Sequence, residues 1–269
     1  MNFDLKLYQA IWQTIDRISI AHNINLTNSI PLFVFDCIPS TNTKVWELID
    51  RQVKTPFGAI ALSQTAGKGQ WGHRWVSETG GLYLSIGLDL DLETANYPHL
   101  VMTTAWGIAT VLRHYKLPVT IKWSNDLILD RRKLGGIKIE TRNNKNKLTK
   151  AVVGVGINWR NSVPEPGINL ESYERDKNVK TINSLEEITA IAAYGILLGY
   201  EYYLAVGIEK LLSEYLSILN NIGQQINFNG CLGEVIGVTT EGKLRIKLRS
   251  SSASTEIAIA PGQISLGYR

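Results

Sequence analysis

Three short segments carry the residue types that chemistry on an anionic substrate needs. They are Gln64-Thr-Ala-Gly-Lys-Gly-Gln-Trp-Gly-His-Arg-Trp75, Lys122-Trp-Ser-Asn-Asp126 and Lys133-Leu-Gly-Gly136. Glycines let backbone N–H groups approach an anion closely, and Lys68, Lys122 and Lys133 bring positive charge to the same place. That is equipment for holding a nucleotide phosphate while something attacks it. The expectation is that the three amines, borne on separate strands and turns, share one cavity.

Each segment also has a plainer reading. Gly67-x-Gly69-x-x-Gly72 formally matches a dinucleotide fingerprint, but that fingerprint requires a helix next, whose N-terminus receives the pyrophosphate. Here the loop runs through Trp75 and Gly80-Gly81 into a β-like run, so the fingerprint fails on context. No Gly-Lys-Ser or Gly-Lys-Thr supplies a Walker loop. A glycine-rich hairpin with exposed basic residues is the remaining plain reading. Alternation along a strand puts Lys122, Ser124 and Asp126 on one face, unless the chain bends there; a surface Lys–Asp pair is the plain alternative. Gly154-Val-Gly156-Ile-Asn158 ends an apolar strand, either as a β-bulge or as a wall against a flat ring with Asn158 as a polar contact. The histidines (His22, His73, His99, His114) have no metal-ligand spacing, and no Ser/His/Asp set is arguable.

The elements that must position these residues are legible as alternating helical and β patterns. Residues 3–20 have the spacing of an amphipathic helix, with apolar side chains from Leu5 to Ile18. Leu32–Phe35 and Phe57–Leu62 read as strands, with a helix from about Lys44 to Val53 capped by Ser40-Thr-Asn-Thr43. Gly81–Leu88 is a strand and Thr94–Tyr115 a helix with Pro98 in its first turn. Val119–Trp123 with Leu127–Leu129, Leu134–Thr141 and Leu148–Trp159 form a meander turning at Asp130-Arg-Arg132 and Asn143-Asn-Lys-Asn146. Residues 160–183 read as irregular. Ser184 with Glu187 is a capping box opening a helix of about twenty residues, Gly207 interrupts it, and Ile208–Leu219 continues. After Asn220, five short strands (Gln225–Phe228, Gly230–Val238, Lys243–Leu248, Thr255–Ile259 and Gln263–Leu266), with a hairpin turn at Ser250-Ser-Ser252, read as a small barrel. The division is 1–30 as a helical extension, 31–222 as the main unit and 223–269 as the barrel.

Bulk properties set the outer limits. The 269 residues are 44% hydrophobic and 19% charged, an ordinary globular composition. No run approaches the roughly 18 uninterrupted apolar residues of a membrane span, although 188–212 is greasy; no membrane partner is expected. Cys37 and Cys231 suggest no disulfide framework, and the N-terminus lacks signal-peptide character, so the expected setting is cytoplasmic. A net charge of +4 is no nucleic-acid footprint without a concentrated patch.

Together, the segments resemble the biotin protein ligase family over nearly all of residues 32–269. Ser40-Thr-Asn42 resembles its Ser-Thr-Asn, and the 65–75 loop its Gly-Arg-Gly-Arg-x-Gly-Arg-x-Trp. Lys122–Asp126 resembles its Lys-Trp-Pro-Asn-Asp, Lys133–Ile137 its Lys-Leu-x-Gly-Ile, and Gly154–Asn158 its Gly-x-Gly-Ile-Asn. Positions 68, 70 and 73, usually Arg in the family, are Lys68, Gln70 and His73 here. Lys68 keeps the charge without the bidentate fork, Gln70 cannot neutralise a phosphate, and His73 is charged only when protonated.

The resemblance implies an α+β fold: a mixed β-sheet flanked by helices, like that of class II aminoacyl-tRNA synthetases, with a C-terminal SH3-like β-barrel. It implies ATP-dependent activation of biotin to biotinyl-5'-AMP, then transfer to a lysine of the biotin carboxyl carrier domain of acetyl-CoA carboxylase. Catalytic roles fall on Lys133, Lys122 and Asp126. Biotin contacts fall on Ser40, Thr41, Asn42, Gln64, Gly67, Lys68 and Gly136. Adenylate contacts fall on Lys68, Gly69, Gln70, His73, Arg74 and Trp75 of the loop, and on Asn125, Gly154, Gly156 and Asn158. No spacing marks a metal site, and Mg²⁺ would arrive with ATP near Asp126. Only about 30 residues precede the first strand, roughly half of a winged helix-turn-helix, so no DNA binding is expected. The alternatives are a lipoate or octanoate ligase or transferase of the same superfamily, and a non-catalytic biotin sensor. Oligomeric state is not legible.

Overall fold

The computed structural model describes residues 3–15, 24, 26–249 and 254–268. Helix α1 (Leu5–Ile15) buries Tyr8, Trp12 and Ile15, as its spacing predicts. The rest of the expected 3–20 helix, with Ile18, lies outside the described residues, as do His22 and the 250–252 turn.

Apolar runs long enough to be covered on both faces make the core sheet. Its strands are β1 (Leu32–Ile38), β2 (Phe57–Gln64), β3 (Leu82–Glu93), β4 (Thr120–Lys122), β5 (Asp126–Leu129), β6 (Arg132–Asn144) and β7 (Lys147–Ile157). They assemble in the order β1-β2-β3-β7-β6-β5-β4. The β1–β2 pair is parallel and the others antiparallel. The meander from β4 to β7 is present as expected.

Alternation along the strands feeds two separate cores. Ile60, Leu84 and Val153 join the large one, roofed by α3 (Tyr97–His114), α5 (Leu185–Ser217) and α1. Phe57, Ala59 and Val152 join Val45 and Ile49 of α2 (Thr41–Asp50) beneath the opposite face. Helix α2 starts three residues before the expected Lys44, with Ser40 as its cap residue but without a side-chain capping bond.

Helix α5 has the length and composition to cross a membrane, yet its greasy face is packed inside this fold. Ile188, Ile191, Tyr194 and Leu198 are buried, and Trp12 meets Tyr194 edge-on at 5.2 Å. Its start is the expected one: Ser184 Oγ accepts from the Glu187 N–H at 3.1 Å. Glu187 reaches back to the N–H of Asn183 instead of Ser184. The helix breaks at Gly207 (φ 79°, ψ 177°).

Two expectations fail. Residues 160–183 are not wholly irregular, because α4 (Leu170–Lys177) forms there. Asn169 caps it by accepting from the Ser172 N–H at 2.8 Å, and the helix buries little beyond Leu170, Tyr173 and Glu174, so no apolar periodicity announces it. In the C-terminal region only four strands form among the described residues: β8 (Gln225–Phe228), β9 (Cys231–Val238), β10 (Leu244–Arg249) and β11 (Ser254–Ile259). They make an antiparallel sheet in sequence order, while 263–266 forms no strand among the described residues and Gln263 instead closes a turn onto Ala260. This small sheet is tied to the large one through side chains. His99 Nε2 lies 2.8 Å from the Thr240 carbonyl, and Trp123 Nε1 donates to the Gly242 carbonyl at 3.0 Å.

Candidate active site

The start of α2 and the end of β2 bring Ser40, Thr41, Asn42 and Gln64 to one end of a cleft of about 460 Å³. The Thr41 N–H donates to Gln64 Oε1 at 2.8 Å, and Gln64 Nε2 donates to Ser77 Oγ at 2.8 Å. Beneath them, wholly buried Ser85 on β3 lies 2.7 Å from Thr41 Oγ1 and 2.6 Å from Asn42 Oδ1. An amide oxygen only accepts, so the Ser85 hydroxyl donates to Asn42. In this arrangement Asn42 Nδ2 is buried without a protein partner among the described residues. Ser85 is the polar exception in an otherwise apolar β3 core run, and that contrast is the signal by which sequence could have found it; Ser77 carries none.

The wall of the cleft is backbone. Gly154 pairs with Ser85 and Lys138, and Gly156 with Tyr83 and Gly136, in unbroken register, so neither is a bulge. The reason for glycine is close approach. A Cβ on Gly154 would lie 2.1 Å from Asn42 Oδ1, and one on Gly156 would lie 2.5 Å from the Trp75 indole. Trp75 thus lies flat against the strand, and its Nε1 is a second buried donor without a protein partner among the described residues.

The 64–77 segment is the glycine-rich hairpin of the plain reading, folded over the cleft. Gln64 N–H donates to Ser77 O, Trp75 N–H to Gly67 O and Gly69 N–H to His73 O. Its tip turns at Trp71 and Gly72, both at positive φ. This places Lys68, Gly69, Gln70 and Trp75 on the cleft, facing Lys133, Gly136 and Asn125. Asn125 is held there because its Nδ2 donates to the Ile137 carbonyl at 2.9 Å. Lys138, which no motif marks, adds another amine.

A second cleft of about 690 Å³ adjoins the first. Arg74, Asn158, Asn161, Val163 and Tyr268 line it, and Trp75 and Lys133 are shared by both clefts. Lys133 Nζ is 2.7 Å from Asp126 Oδ1 and 5.4 Å from the Trp75 ring centroid. Sequence does not mark Asn161, Val163 and Tyr268, because they lie in or beyond the segments whose local pattern is weakest.

The expected convergence holds for Lys68 and Lys133 but not for Lys122. The chain turns at 123–125, so Lys122 and Asp126 face each other across the β4–β5 pair. Lys122 is 9% exposed and lines neither cleft. Its ammonium lies 3.6 Å from the Tyr268 ring centroid, and the Tyr268 hydroxyl donates to Asp126 Oδ2 at 2.7 Å. Burial pushes the Lys122 pKa down, Asp126 opposes that and Lys133 reinforces it. Two loop residues also miss the expected clefts. His73 turns to a separate depression beside Trp123 and residues 261–265, because it follows the tip on its outer side. Gly67 packs behind Gln64, against Trp75 O and Ser77 Oγ.

Among the described residues no three His, Cys, Asp or Glu side chains form a metal cluster. Asp126 alone offers a carboxylate beside Lys133, and each of its oxygens retains a lone pair. One such ligand suits a magnesium ion that draws its other ligands from phosphates and water.

Comparisons with known proteins agree with this geometry. Residues 34–158 match the Biotin/lipoate A/B protein ligase family. The chain is 29% identical to the Escherichia coli bifunctional ligase/repressor BirA, over 77% of this chain and 64% of that protein. It is 27% identical to the biotin–protein ligase of Schizosaccharomyces pombe, over 79% of this chain and 38% of that one. The chain therefore spans less than two thirds of the length of these relatives. Its fold is that of the Aquifex aeolicus biotin protein ligase solved with biotin and ATP, with a TM-score of 0.70, 22% identity, and 89% of this chain and 99% of that one covered.

Proposed function

We propose that this chain, whose residues 34–158 match the biotin/lipoate A/B protein ligase family, is a biotin protein ligase. One observation carries the proposal: Lys133 and Trp75 line two clefts at once, the first ending in an amide-recognising network and the second lined by Arg74, Asn158 and Asn161. Ligases of this name among its relatives support the reading, as does the fold shared with a structure holding biotin and ATP. The division into a helical extension (1–30), a catalytic unit (31–222) and a C-terminal accessory unit (223–269) is part of the same reading.

A carboxylate is a poor electrophile, so it must first be activated. The biotin carboxylate attacks the α-phosphorus of ATP and pyrophosphate leaves, giving biotinyl-5'-AMP. A lysine of a biotin carboxyl carrier domain then attacks the mixed anhydride, and AMP leaves. Two anions meet in the first step, and Lys133, placed between the clefts, exchanges its ion pair with Asp126 for contacts to the carboxylate and the α-phosphate. One preorganised donor of this kind is worth about 3–4 kcal/mol of barrier. Lys68, Lys138 and, from beneath Tyr268, Lys122 add positive field. Magnesium held by Asp126 and the phosphates would neutralise the leaving pyrophosphate.

The ureido ring of biotin needs donors for its carbonyl and acceptors for its N–H groups. Asn42 Nδ2 is a buried donor at the cleft, the Ser40 and Thr41 hydroxyl oxygens accept, and Gln64, whose Oε1 already takes the N–H and the hydroxyl of Thr41, holds them in place. An unpaired buried donor costs about 1–3 kcal/mol, so a ligand lacking the carbonyl leaves that cost in place. Trp75 Nε1 offers its hydrogen to the adenylate in the same way. Gly154 and Gly156 let both side chains sit this close. Lipoate and octanoate carry no such groups, and the polar end of the cleft disfavours them. Magnesium, the carrier and the reducing cytoplasm in which both cysteines stay free and exposed belong to this proposal.

Pyrophosphate exchange tests it, with biotin, lipoate and octanoate in parallel. Biotin alone should support exchange. Exchange with lipoate or octanoate instead moves the chain to the sister activities, and binding of biotin without exchange makes it a sensor.

A further inference from the structure

Tyr268 has no part in the roles given above, yet it touches Lys122 and Asp126, the charged groups next to Lys133, which itself lies where the clefts meet. Lys122 and Asp126 are directly opposed across β4 and β5, which makes Asp126 the natural counter-ion for a buried lysine. Among the described residues no Lys122–Asp126 ion pair forms. Asp126 Oδ1 instead takes Lys133 at 2.7 Å, Oδ2 takes the Tyr268 hydroxyl at 2.7 Å, and the Lys122 ammonium faces the Tyr268 ring at 3.6 Å.

The geometry points to Tyr268 as a positioning residue for nucleotide binding: its hydroxyl holds Asp126 in the orientation that keeps the Lys133 ammonium where the two clefts meet, and its ring takes the place of a carboxylate in front of Lys122. The inference rests on the reading that these amines bind a nucleotide. A ring face stabilises an ammonium by its quadrupole and adds no net negative charge. A carboxylate in the same place would form an ion pair with the amine, and Asp126 would be drawn away from Lys133 to make it. The hydroxyl and the ring act together, one engaging Asp126 Oδ2 and the other occupying the space in front of Lys122. Without the hydroxyl, Asp126 is free to rotate its second oxygen onto Lys122, and the turn shifts the oxygen that holds Lys133 where the clefts meet. Burial adds force, since Lys122 at 9% exposure has little water to stabilise its charge and so draws strongly on any carboxylate free to turn toward it. Tyr268 also lines the second cleft beside Lys133, so its loss is felt on the nucleotide side and not at the far polar end of the first cleft.

The test compares wild type with Tyr268→Phe, which keeps the ring and loses the hydroxyl, and with Tyr268→Ala, which loses both. ATP affinity is measured by titration calorimetry without any acyl acid, biotin affinity likewise without ATP, and the Tyr268→Phe structure is solved. ATP affinity should fall about tenfold in Tyr268→Phe and further in Tyr268→Ala, with biotin affinity within about twofold of wild type. In the Tyr268→Phe structure, Asp126 should lie within ion-pair distance of Lys122. Unchanged ATP affinity, equal losses of ATP and biotin affinity, or an Asp126 that stays put overturns the inference. If Tyr268→Ala does not fold, Tyr268→Phe still decides. Failure of pyrophosphate exchange with every acid sinks the ligase reading, but the calorimetry still judges Tyr268. A wild-type chain that binds no ATP sinks both.

Discussion

Gly154→Ala places the smallest perturbation where the site is tightest. The added methyl would sit 2.1 Å from Asn42 Oδ1 and 3.0 Å from Asn42 Cγ, whereas carbon and oxygen ordinarily keep roughly 3.4 Å apart. Gly154 is held in register between β3 and β6, so Asn42 must give way by roughly 1 Å or more. That breaks the 2.6 Å bond from Ser85 and strands a wholly buried hydroxyl. A stranded buried polar group costs about 1–3 kcal/mol and overpacking about 1–3 kcal/mol more. The expected destabilisation is about 2–6 kcal/mol, roughly 4–24 °C in Tm at this chain length. A misplacement of about 1 Å costs on the order of 100-fold in a positioned site. The KM for biotin should therefore rise by about that factor in pyrophosphate exchange, with the KM for ATP within about threefold. A variant with wild-type biotin KM and melting temperature would refute the assignment of Asn42 and its network.

Gln70→Arg restores a cation in the hairpin over the cleft and should slow the release of labelled biotinyl-5'-AMP; an unchanged off-rate counts against a retaining role for position 70. Burial lowers the pKa of His99, opposed by its bond to Thr240 and by Glu209 and Glu241. As pH falls from about 6.5 the unfolded chain takes up a proton that the folded chain resists, so stability present above that pH declines until the folded pKa is reached. Urea melts from about pH 7.5 to about pH 5 should show this slope in wild type and a shallower one in His99→Gln. Equal slopes would remove His99 from the contact between the sheets.

Local pattern and motif order determine what is legible in the sequence. The meander, the Ser184 cap and the break at Gly207 follow from neighbours in sequence, and the polar set at 40–42 and 64 from the family resemblance. Helix α4 is hidden because an asparagine cap starts it and few apolar residues mark its inner face. Ser77, Lys138 and Asn161 are hidden because their importance comes from strand pairing and chain return across the clefts. Lys122 misleads for the same reason. Its motif places it beside Asp126 correctly, but Tyr268, at the far end of the chain, decides what the ammonium faces. The glycines at 154 and 156 are ambiguous in one dimension, and only Asn42 and the Trp75 ring show why a side chain is excluded.

A crystal structure with biotin and a non-hydrolysable ATP analogue decides whether Lys133 joins the two substrates. It should show the ureido carbonyl on Asn42 Nδ2, the nucleoside beside Asn158 and Asn161, and Lys133 released from Asp126 to touch both the carboxylate and the α-phosphate. Biotin lying elsewhere, or Lys133 still paired with Asp126 while both ligands are bound, would rule that arrangement out.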